Sequence, residues 1–411
     1  MFPQKTICKS FVLGLCLLLL LAGCTQPIPT LKPVTIKFPH YERDAAYYTA
    51  MAEQFKALYP NITIELIQLN RRNTNQITEN DVFMADQLSL LQLAQQGVIL
   101  DVSPLIEQDN TFDSSVYYPG ALEAFQYQGK TWGIPSDINV LLMYYNKDLF
   151  DLYSAPYPTG DWTWDDFLDR AEDVTDPSRD VFGYAIQHDD EFAIMEPILF
   201  IYQHGGQLFD DWQNPSDITL NDPRNVEALD WYAGLIHTYG VAPSRQQGPN
   251  SIGYYPYGGI MQNKFGMWMG MLSDQGGATW PMRWEMQWGV VPLPRDRDAF
   301  TLATVNGFVI SKRTRYPEAC WQWIMFLSEQ MPTLNMPARM SLAESSKYVQ
   351  LVGAEVAEAA RTAARDAVLI NPNLIGFEQG LNALGTAFTA IRDGQTSAEA
   401  ALNAAQEQAG Y

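Results

Sequence analysis

Apolar and polar residues alternate with two different periods along residues 34–102. The segments VTIKF (residues 34–38) and NITIEL (residues 61–66) show the two-residue period of strands. A third strand, DVFMAD (residues 81–86), is followed by a helical run and by VILDV (residues 98–102). Between the first two strands, apolar residues recur at helical spacing and end at a proline: Tyr48, Met51, Phe55, Leu58 and Pro60. This regular alternation of strand and helix predicts an α/β fold with a parallel sheet.

Two longer runs are rich in β-forming residues and predict strands that pass between lobes. One extends from Ile138 to Tyr145, and the other is TLATVNGFVIS (residues 301–311). Short strands are predicted at KFGMWMG (residues 264–270) and WGVVPLP (residues 288–294). Helix starts are predicted at two capping boxes and one proline: Thr163 with Asp166, Thr396 with Glu399, and Pro223.

The amino-terminal pattern is that of an export signal. Lys5 and Lys9 precede an apolar run, residues 11–21, that ends at small residues and Cys24. A spanning helix needs about 20 apolar residues, so residues 1–23 are predicted to be a signal peptide. Residues 21–24, Leu-Ala-Gly-Cys, resemble a bacterial lipobox, which implies that Cys24 carries lipid and anchors the protein on the outer side of the cell membrane. Residues 24–33, with three prolines, then form a linker. The alternative is a plain secretory signal with an incidental cysteine.

The composition limits the class of protein. A length of 411 residues suggests two or three domains with their own cores. The formal net charge of −21 disfavours nucleic acid and anionic lipid as partners, because phosphate binding depends on Lys and Arg. Cys8 and Cys16 leave with the signal peptide and Cys320 stays alone, so no disulfide framework is expected. The 11 Trp and 21 Tyr residues are the positive clue to function.

Several segments, taken in order, resemble one protein family. They are FKALYPNITIEL, GKTWGIPSDINVLLMYYNKDLF with TWDDFLDRAEDVT, NKFGMWMGM, WGVVPLP, and VNGFVISKRTRYPEACWQWIMFLS. Their order is similar to that of the family 1 extracellular solute-binding proteins of ABC importers, the group that includes the maltose-binding type. The resemblance implies an α/β, two-lobed periplasmic-binding-protein-like fold of type II, with hinge strands that cross between the lobes. It also implies a monomer, not an enzyme, that binds a small molecule without any cofactor and delivers it to ABC permease subunits.

The family topology divides this chain into two lobes. Lobe one is expected to contain residues 34–138 and 305–328, and lobe two residues 139–304 and 329–411. Ligands of α/β proteins bind where loops at the carboxyl ends of strands converge, often between domains. A ligand that touches both lobes stabilises the closed form in proportion to its differential affinity for that form.

Aromatic and polar residues near the strand ends are the candidate ligand contacts. Trp268 occupies the place where sugar-binding relatives offer a flat ring, and Trp280 and Trp284 are further candidate platforms. Each of the three also fits a core position. Carboxylates accept hydrogen bonds from sugar hydroxyls, although capping a helix is the commoner role of Asp. The polar candidates follow the first strand, end the third strand or lie at the two crossings: Tyr41, Glu42, Asp86, Asp137, Asn139 and Asn306.

Other ligands and other classes of protein stay open at this point. Within the same architecture the ligand could be ferric iron, a polyol or a phosphodiester. Iron-binding relatives use adjacent tyrosines, and Tyr144–Tyr145 and Tyr254–Tyr255 are such pairs. A surface-anchored glycoside hydrolase would need two carboxylates about 5–9 Å apart, which 47 acidic residues supply by chance. No G-x-S-x-G, H-E-x-x-H or Walker motif occurs, and the four scattered histidines predict no metal site. A receptor subunit that reports sugar to a membrane sensor is a third alternative.

Overall fold

The computed structural model describes residues 32–69, 74–186, 194–212, 215–244, 256–370 and 377–409. The predicted signal peptide, Cys24, most of the linker and the pair Tyr254–Tyr255 lie outside these ranges. None of the helices in the described ranges has the length and hydrophobicity that a membrane crossing requires.

The first elements alternate between strand and helix, as the pattern predicts. They are β1 (Val34–Tyr41), α1 (Ala45–Leu58), β2 (Ile62–Leu69), β3 (Val82–Asp86), α2 (Gln87–Gln95) and α3 (Ser103–Gln108). β1 and β2 pair in parallel along their whole lengths. Phe55 of α1 is fully buried beside them, which is the packing expected of a strand–helix–strand unit.

The middle of the chain holds the longest strands. Its elements are β4 (Gln126–Tyr127), β5 (Lys130–Thr131), β6 (Ile134–Asn146), α4 (Lys147–Tyr153), α5 (Trp164–Asp173), β7 (Phe182–Ala185), α6 (Met195–Gln203), α7 (Pro223–His237), α8 (Pro256–Met261), β8 (Phe265–Met271), β9 (Trp288–Val291) and β10 (Thr301–Ile310). The capping box at α5 is confirmed, because the side chains of Thr163 and Asp166 each accept from the backbone N–H of the other. Asp222 caps α7 ahead of Pro223.

The last part of the chain is mainly helical. Its elements are α9 (Pro317–Ser328), β11 (Met336–Pro337), α10 (Met340–Ala343), α11 (Ser346–Val352), α12 (Ala354–Asp366), β12 (Ala367–Leu369), α13 (Glu378–Arg392) and α14 (Ala398–Ala409). The predicted cap of the last helix is wrong by one residue. Ser397 Oγ, rather than Thr396, accepts from the N–H of Ala400 at the start of α14.

β6 and β10 are each shared by two groups of strands. Residues 134–140 of β6 pair with β10, while residues 141–146 pair with β8 and β9. Residues 306–310 of β10 pair with β3, and residues 301–303 pair with β12. The resulting eight-stranded mixed sheet has the order β12-β10-β6-β8-β7, with β3 beside β10 and with β9 and β11 beside β6. The two long predicted strands are therefore confirmed as links between groups of strands, and the lobe boundaries stay a prediction.

Side chains of β6 enter two hydrophobic cores on its opposite faces. Leu142 and Tyr144 point into one core, which also contains Phe38 of β1. Leu141 and Met143 point into the other, together with helices α5 to α7, α13 and α14. This alternation follows from the two-residue period of a strand. Because the first core takes residues from both predicted lobes, apolar packing continues along β6 from one to the other.

Candidate functional site

Three neighbouring strands place three predicted site residues side by side. Asp86 ends β3 opposite Asn306 of β10, and Asn306 lies opposite Asp137 of β6. The register of β6 against β10 shifts between Asn306 and Gly307. A Cβ atom on Gly307 would come within 2.5 Å of both the Ile134 carbonyl oxygen and the Phe125 ring, so only glycine fits this approach. At Gly307 the backbone of β10 thus approaches the neighbouring strand β6 closely.

Asp137 is the centre of a buried polar cluster at this crossing. Its side chain is 3% exposed, and Oδ1 accepts hydrogen bonds from Nδ2 of Asn306 at 2.8 Å and of Asn335 at 2.6 Å. Burial raises the pKa of Asp137 above its usual value, although these amide hydrogen bonds act in the opposite direction. Burial and then the nearby charge of Asp137 also raise the pKa of Tyr47. We call Asp137, Asn306, Asn335 and Tyr47 the crossing cluster.

The segment after β8 is attached to this crossing at two points. The side chain of Asn139 donates to Ser273 Oγ at 3.1 Å and accepts from the Ser273 N–H at 3.0 Å. Gln275 donates to the carbonyl oxygen of Leu334, next to Asn335, at 2.7 Å. The amide of Asn139 is therefore engaged in holding the segment, and the loop that carries Trp280 starts beside the crossing cluster.

Trp268 is not an exposed platform in this structure. Its side chain has no exposed surface, because β8 pairs with β6 so that Trp268 lies opposite Tyr144. The two rings stack with an interplanar angle of 15° at 6.1 Å, and the edge of Trp284 meets Trp268 at 5.1 Å. This enclosure contradicts the prediction that Trp268 offers a free ring face to a ligand. Trp284, 7% exposed, is a core residue as well.

Trp280 forms the outer end of this aromatic cluster. Its ring meets Trp284 edge-on at 5.0 Å and Tyr257 edge-on at 4.7 Å. Trp280 is half-buried and Tyr257 is 40% exposed. The two rings are therefore accessible where Trp268 is not. We call Trp280 and Tyr257 the aromatic edge.

The remaining predicted residues, Asp86, Tyr41 and Glu42, lie at the ends of β3 and β1. Asp86 caps α2, since its Oδ1 accepts from the N–H and the hydroxyl of Ser89 at 2.8 and 2.9 Å. Tyr41, the last residue of β1, and Glu42 after it are exposed. The guanidinium of Arg43 lies 5.8 Å from the Tyr41 ring centre. His40 is 7% exposed and bonds through Nδ1 to the carbonyl of Tyr41.

Several residues of the site were not found by sequence reasoning. Asn335 lies in an irregular segment and Ser273 in a short 3-10 helix, Leu272–Gly277. Neither belongs to a sequence motif, so only the fold brings them to the crossing. Tyr47 occupies one turn of an amphipathic helix, where an aromatic residue normally indicates core. Tyr257 belongs to the aromatic segment YYPYGG, whose adjacent tyrosines indicate an iron ligand pair rather than a sugar platform.

The chemistry of the junction suits a neutral ligand that carries hydroxyl groups. Amide and carboxylate groups gather at the crossing, and each amide both donates and accepts. Aromatic rings lie on the adjoining loop, where an apolar sugar face can pack. Both carboxylates already accept hydrogen bonds within the protein, Asp137 from the amides of Asn306 and Asn335 and Asp86 from the N–H of Ser89. No cluster of three or more potential metal ligands occurs among the described residues.

Comparisons with known proteins agree with this architecture. The model of the bacterial extracellular solute-binding protein family matches residues 50–341. An arabinooligosaccharide-binding protein of Bacillus subtilis is 23% identical over 278 residues, which cover 62% of this chain and 59% of the relative. The chain thus matches less than two thirds of that relative's length.

Two solved structures show the same fold. An ABC substrate-binding protein from Listeria monocytogenes in complex with cycloalternan has a TM-score of 0.71 and 23% identity, and the match covers 92% of this chain and 98% of that chain. UgpB from Mycobacterium tuberculosis in complex with glycerophosphocholine has a TM-score of 0.70 and 18% identity, with 92% and 98% covered. The predicted type II binding-protein fold is confirmed by these neighbours. The chain belongs to the bacterial extracellular solute-binding protein family.

Proposed function

We propose that the protein is the substrate-binding lipoprotein of an ABC importer, which captures a carbohydrate between two lobes and passes it unaltered to the membrane permease. One observation carries the choice of ligand: the crossing cluster of amides and a carboxylate adjoins the loop that carries Trp280, whose accessible ring meets Tyr257 of α8. The printed ligands of two similar proteins, an arabinooligosaccharide and cycloalternan, support the same class.

In this proposal the aromatic edge, and not Trp268, provides the flat rings on which the sugar packs. A sugar ring packs on Trp280 and Tyr257, and its hydroxyl groups turn toward the crossing. Asn335 Oδ1 is buried and accepts no hydrogen bond from the described residues. When the lobes open and then close around the sugar, a sugar hydroxyl would donate a hydrogen bond to this oxygen. Asp137 orients the two amides. In this proposal the predicted contacts Tyr41, Glu42, Asp86, Asn139 and Asn306 remain candidates for further hydrogen bonds to the sugar.

The anchor is proposed on the sequence of residues 21–24. Acyl chains on Cys24 would hold the protein at the outer face of the membrane, since two chains give stable attachment where one does not. Replacing Cys24 with Ser should move the protein from the membrane fraction to the soluble fraction. The intact mass of the membrane form should exceed that of the chain from Cys24 by the mass of the lipid. A membrane-bound Cys24→Ser variant would contradict the anchor.

A phosphodiester is the second candidate ligand, because one structural neighbour holds glycerophosphocholine. Charge favours the sugar: the chain has a net charge of −21, and the crossing cluster contains a carboxylate and no cation. An anionic phosphate would be repelled there. The tyrosine pair Tyr144–Tyr145 does not suit iron, because its side chains enter opposite cores.

A binding screen tests the proposal. A soluble form that begins at Thr30 is titrated with maltotriose, arabinotriose, cellobiose and glycerophosphocholine, and binding is measured by calorimetry. We expect at least one neutral oligosaccharide to bind and to be recovered unchanged, with no binding of glycerophosphocholine.

Trp280→Ala should weaken binding at least tenfold, because stacking on the ring is lost. Tyr316→Ala, which removes an exposed aromatic ring directly before α9, is the control. Cleavage of the sugar would overturn the proposal, and tight binding of glycerophosphocholine alone would favour the second candidate.

A further inference from the structure

A short 3-10 helix, Leu272–Gly277, begins the loop that carries Trp280. Asn139 of β6 holds this helix, because both ends of its side-chain amide bond to Ser273. At the other end, the carbonyl oxygen of Gly277 accepts from the N–H of Trp280 at 3.2 Å. The helix is therefore attached to β6 near its start and leads directly into Trp280.

Gln275 is the residue of this helix whose side chain bonds to the chain segment of Asn335. Its Nε2 donates to the carbonyl oxygen of Leu334 at 2.7 Å. A carbonyl can only accept, so this bond identifies which end of the amide is the nitrogen. The backbone at Gln275 and Gly276 has the angles of a type II turn, φ −42°, ψ 124° and φ 61°, ψ 20°. Gln275 thus extends from a turn of defined shape.

The bond to Leu334 holds the backbone next to Asn335. The Leu334 carbonyl and the Asn335 N–H belong to one planar peptide unit, so holding that oxygen limits the rotation of the unit that precedes Asn335. On the following side, Met336 begins β11 and pairs with Ile138 of β6. Asn335 is therefore held from both sides, although its own segment is irregular.

The position of Asn335 decides what its side-chain amide can bind. Nδ2 donates to Asp137 at 2.6 Å, while the buried Oδ1 has no partner among the described residues. Hydrogen bonds weaken steeply as distance and angle depart from their preferred values. One amide can therefore bind a carboxylate and a ligand hydroxyl together only from a narrow range of backbone positions.

We propose that Gln275 is a positioning residue of the sugar site, which holds Asn335 where Oδ1 can accept from a sugar hydroxyl. Gln275 acts through the Leu334 peptide and makes no contact of its own with the sugar. This inference rests on the function proposed above. It also joins the two halves of the site, because the helix of Gln275 leads into Trp280 and Leu334 leads into Asn335. A sugar that packs on Trp280 then meets Asn335 at a fixed distance.

The side-chain amide signals of Asn335 in a nitrogen–proton NMR spectrum test the positioning without any ligand. Gln275→Met keeps the length of the side chain and removes the donor, so these signals should shift. Asn335→Ala identifies them by their loss. Gln54→Met makes the same change on the exposed side of α1 and should leave them in place. Gln275→Ala should shift the same signals and replaces the Met variant if that one folds poorly. Unmoved Asn335 signals would overturn the proposal, whether or not a sugar binds.

A double-mutant cycle tests whether Gln275 acts on binding through Asn335. Calorimetry with maltotriose, arabinotriose and cellobiose gives the affinities of the parent, the single variants and the double variant. Gln275→Met should weaken binding at least about threefold in the parent, the effect of one hydrogen bond. In Asn335→Ala the same change should cost less than about twofold, because the amide that it positions is gone. Equal losses in the two backgrounds would contradict the proposal. If no sugar binds the parent, the proposed function fails, and the Asn335 signals alone decide the role of Gln275.

Discussion

Asp137 holds a negative charge where little water reaches it. Because its pKa is raised in the folded protein, the folded state binds a proton more tightly than the unfolded chain does. Stability from this group is therefore fully present below the usual carboxyl pKa of 3.8 and is lost as pH rises through the raised value. In Asp137→Asn this loss is absent. Urea unfolding should be measured from pH 3.5 to 8. Between pH 3.8 and the raised pKa, the free energy of unfolding of the variant should increase relative to that of the parent. Above the raised pKa the difference between the two should stay constant.

The same substitution should weaken sugar binding. An asparagine at position 137 keeps one oxygen but loses the charge that orients Asn306 and Asn335, so we expect a loss of at least about tenfold, the value of one charge-assisted hydrogen bond. Calorimetry at pH 7 measures it. Asp113→Asn, which changes an exposed carboxylate that caps Ser115, should bind normally. Equal affinity of Asp137→Asn and the parent would remove Asp137 from the site.

Trp268 and Trp280 should separate stability from binding. Trp268→Ala empties a fully enclosed core position, so the free energy of unfolding should fall by about 3–5 kcal/mol. Trp280→Ala removes a half-buried ring and should cost clearly less. Chemical denaturation gives both values, and calorimetry gives the affinities. If Trp268→Ala were as stable as the parent but unable to bind sugar, the original assignment of the platform to Trp268 would be restored.

At the scale of elements, the start of α2 combines a cap with a predicted ligand contact. Asp86→Ala should lower the free energy of unfolding by about 1 kcal/mol, because the cap on Ser89 is lost, whereas Asp86→Asn keeps a capping oxygen and most of the stability. A contact between the carboxylate and the sugar would still be weakened in the Asn variant. Asp113→Asn is matched, since Asp113 caps Ser115 with the same pair of bonds. If Asp86→Asn binds the sugar as tightly as the parent, Asp86 caps α2 but does not contact the ligand.

The crossing of β6 and β10 depends on one glycine. An added Cβ at Gly307 would meet a carbonyl oxygen and an aromatic ring at 2.5 Å, so Gly307→Ala should cost about 1–3 kcal/mol through overpacking. The backbone movement that makes room for the added methyl group should also displace Asn306 and weaken sugar binding. Gly160→Ala is the control, because nothing lies within 4 Å of its added methyl group. Denaturant unfolding that shows equal stability for the two variants would contradict this close approach.

At the scale of the whole molecule, ligand binding should make the protein more compact and more stable. The radius of gyration from X-ray scattering should decrease when the sugar that binds in the screen is added, since contact with both lobes favours closure. The free energy of unfolding should rise by about 2.7 kcal/mol at a sugar concentration of one hundred times Kd. Trp280→Ala at the same concentration is the control. A radius of gyration that stays constant while stability rises would contradict closure.

Local patterns predicted most of the elements correctly. The two-residue period located β1 and β2, the short apolar run DVFMAD located β3, and the capping box located α5 to the residue. Such signals are local because a strand or helix start is decided by neighbours a few positions away. Thr396 shows the limit: two adjacent hydroxyl residues can each cap a helix, and the fold uses Ser397.

The sequence by itself determined the family, the order of strands and helices, and the chemistry available to a ligand. Only the tertiary structure decided which residues of that chemistry are accessible. Trp268 and Trp280 are the same residue type twelve positions apart, yet the pairing of β8 with β6 encloses the first and leaves the second at the edge. Asn335 joins Asp137 across 198 positions of chain. Burial and long-range contact depend on how distant segments pack, and a local pattern carries no record of that.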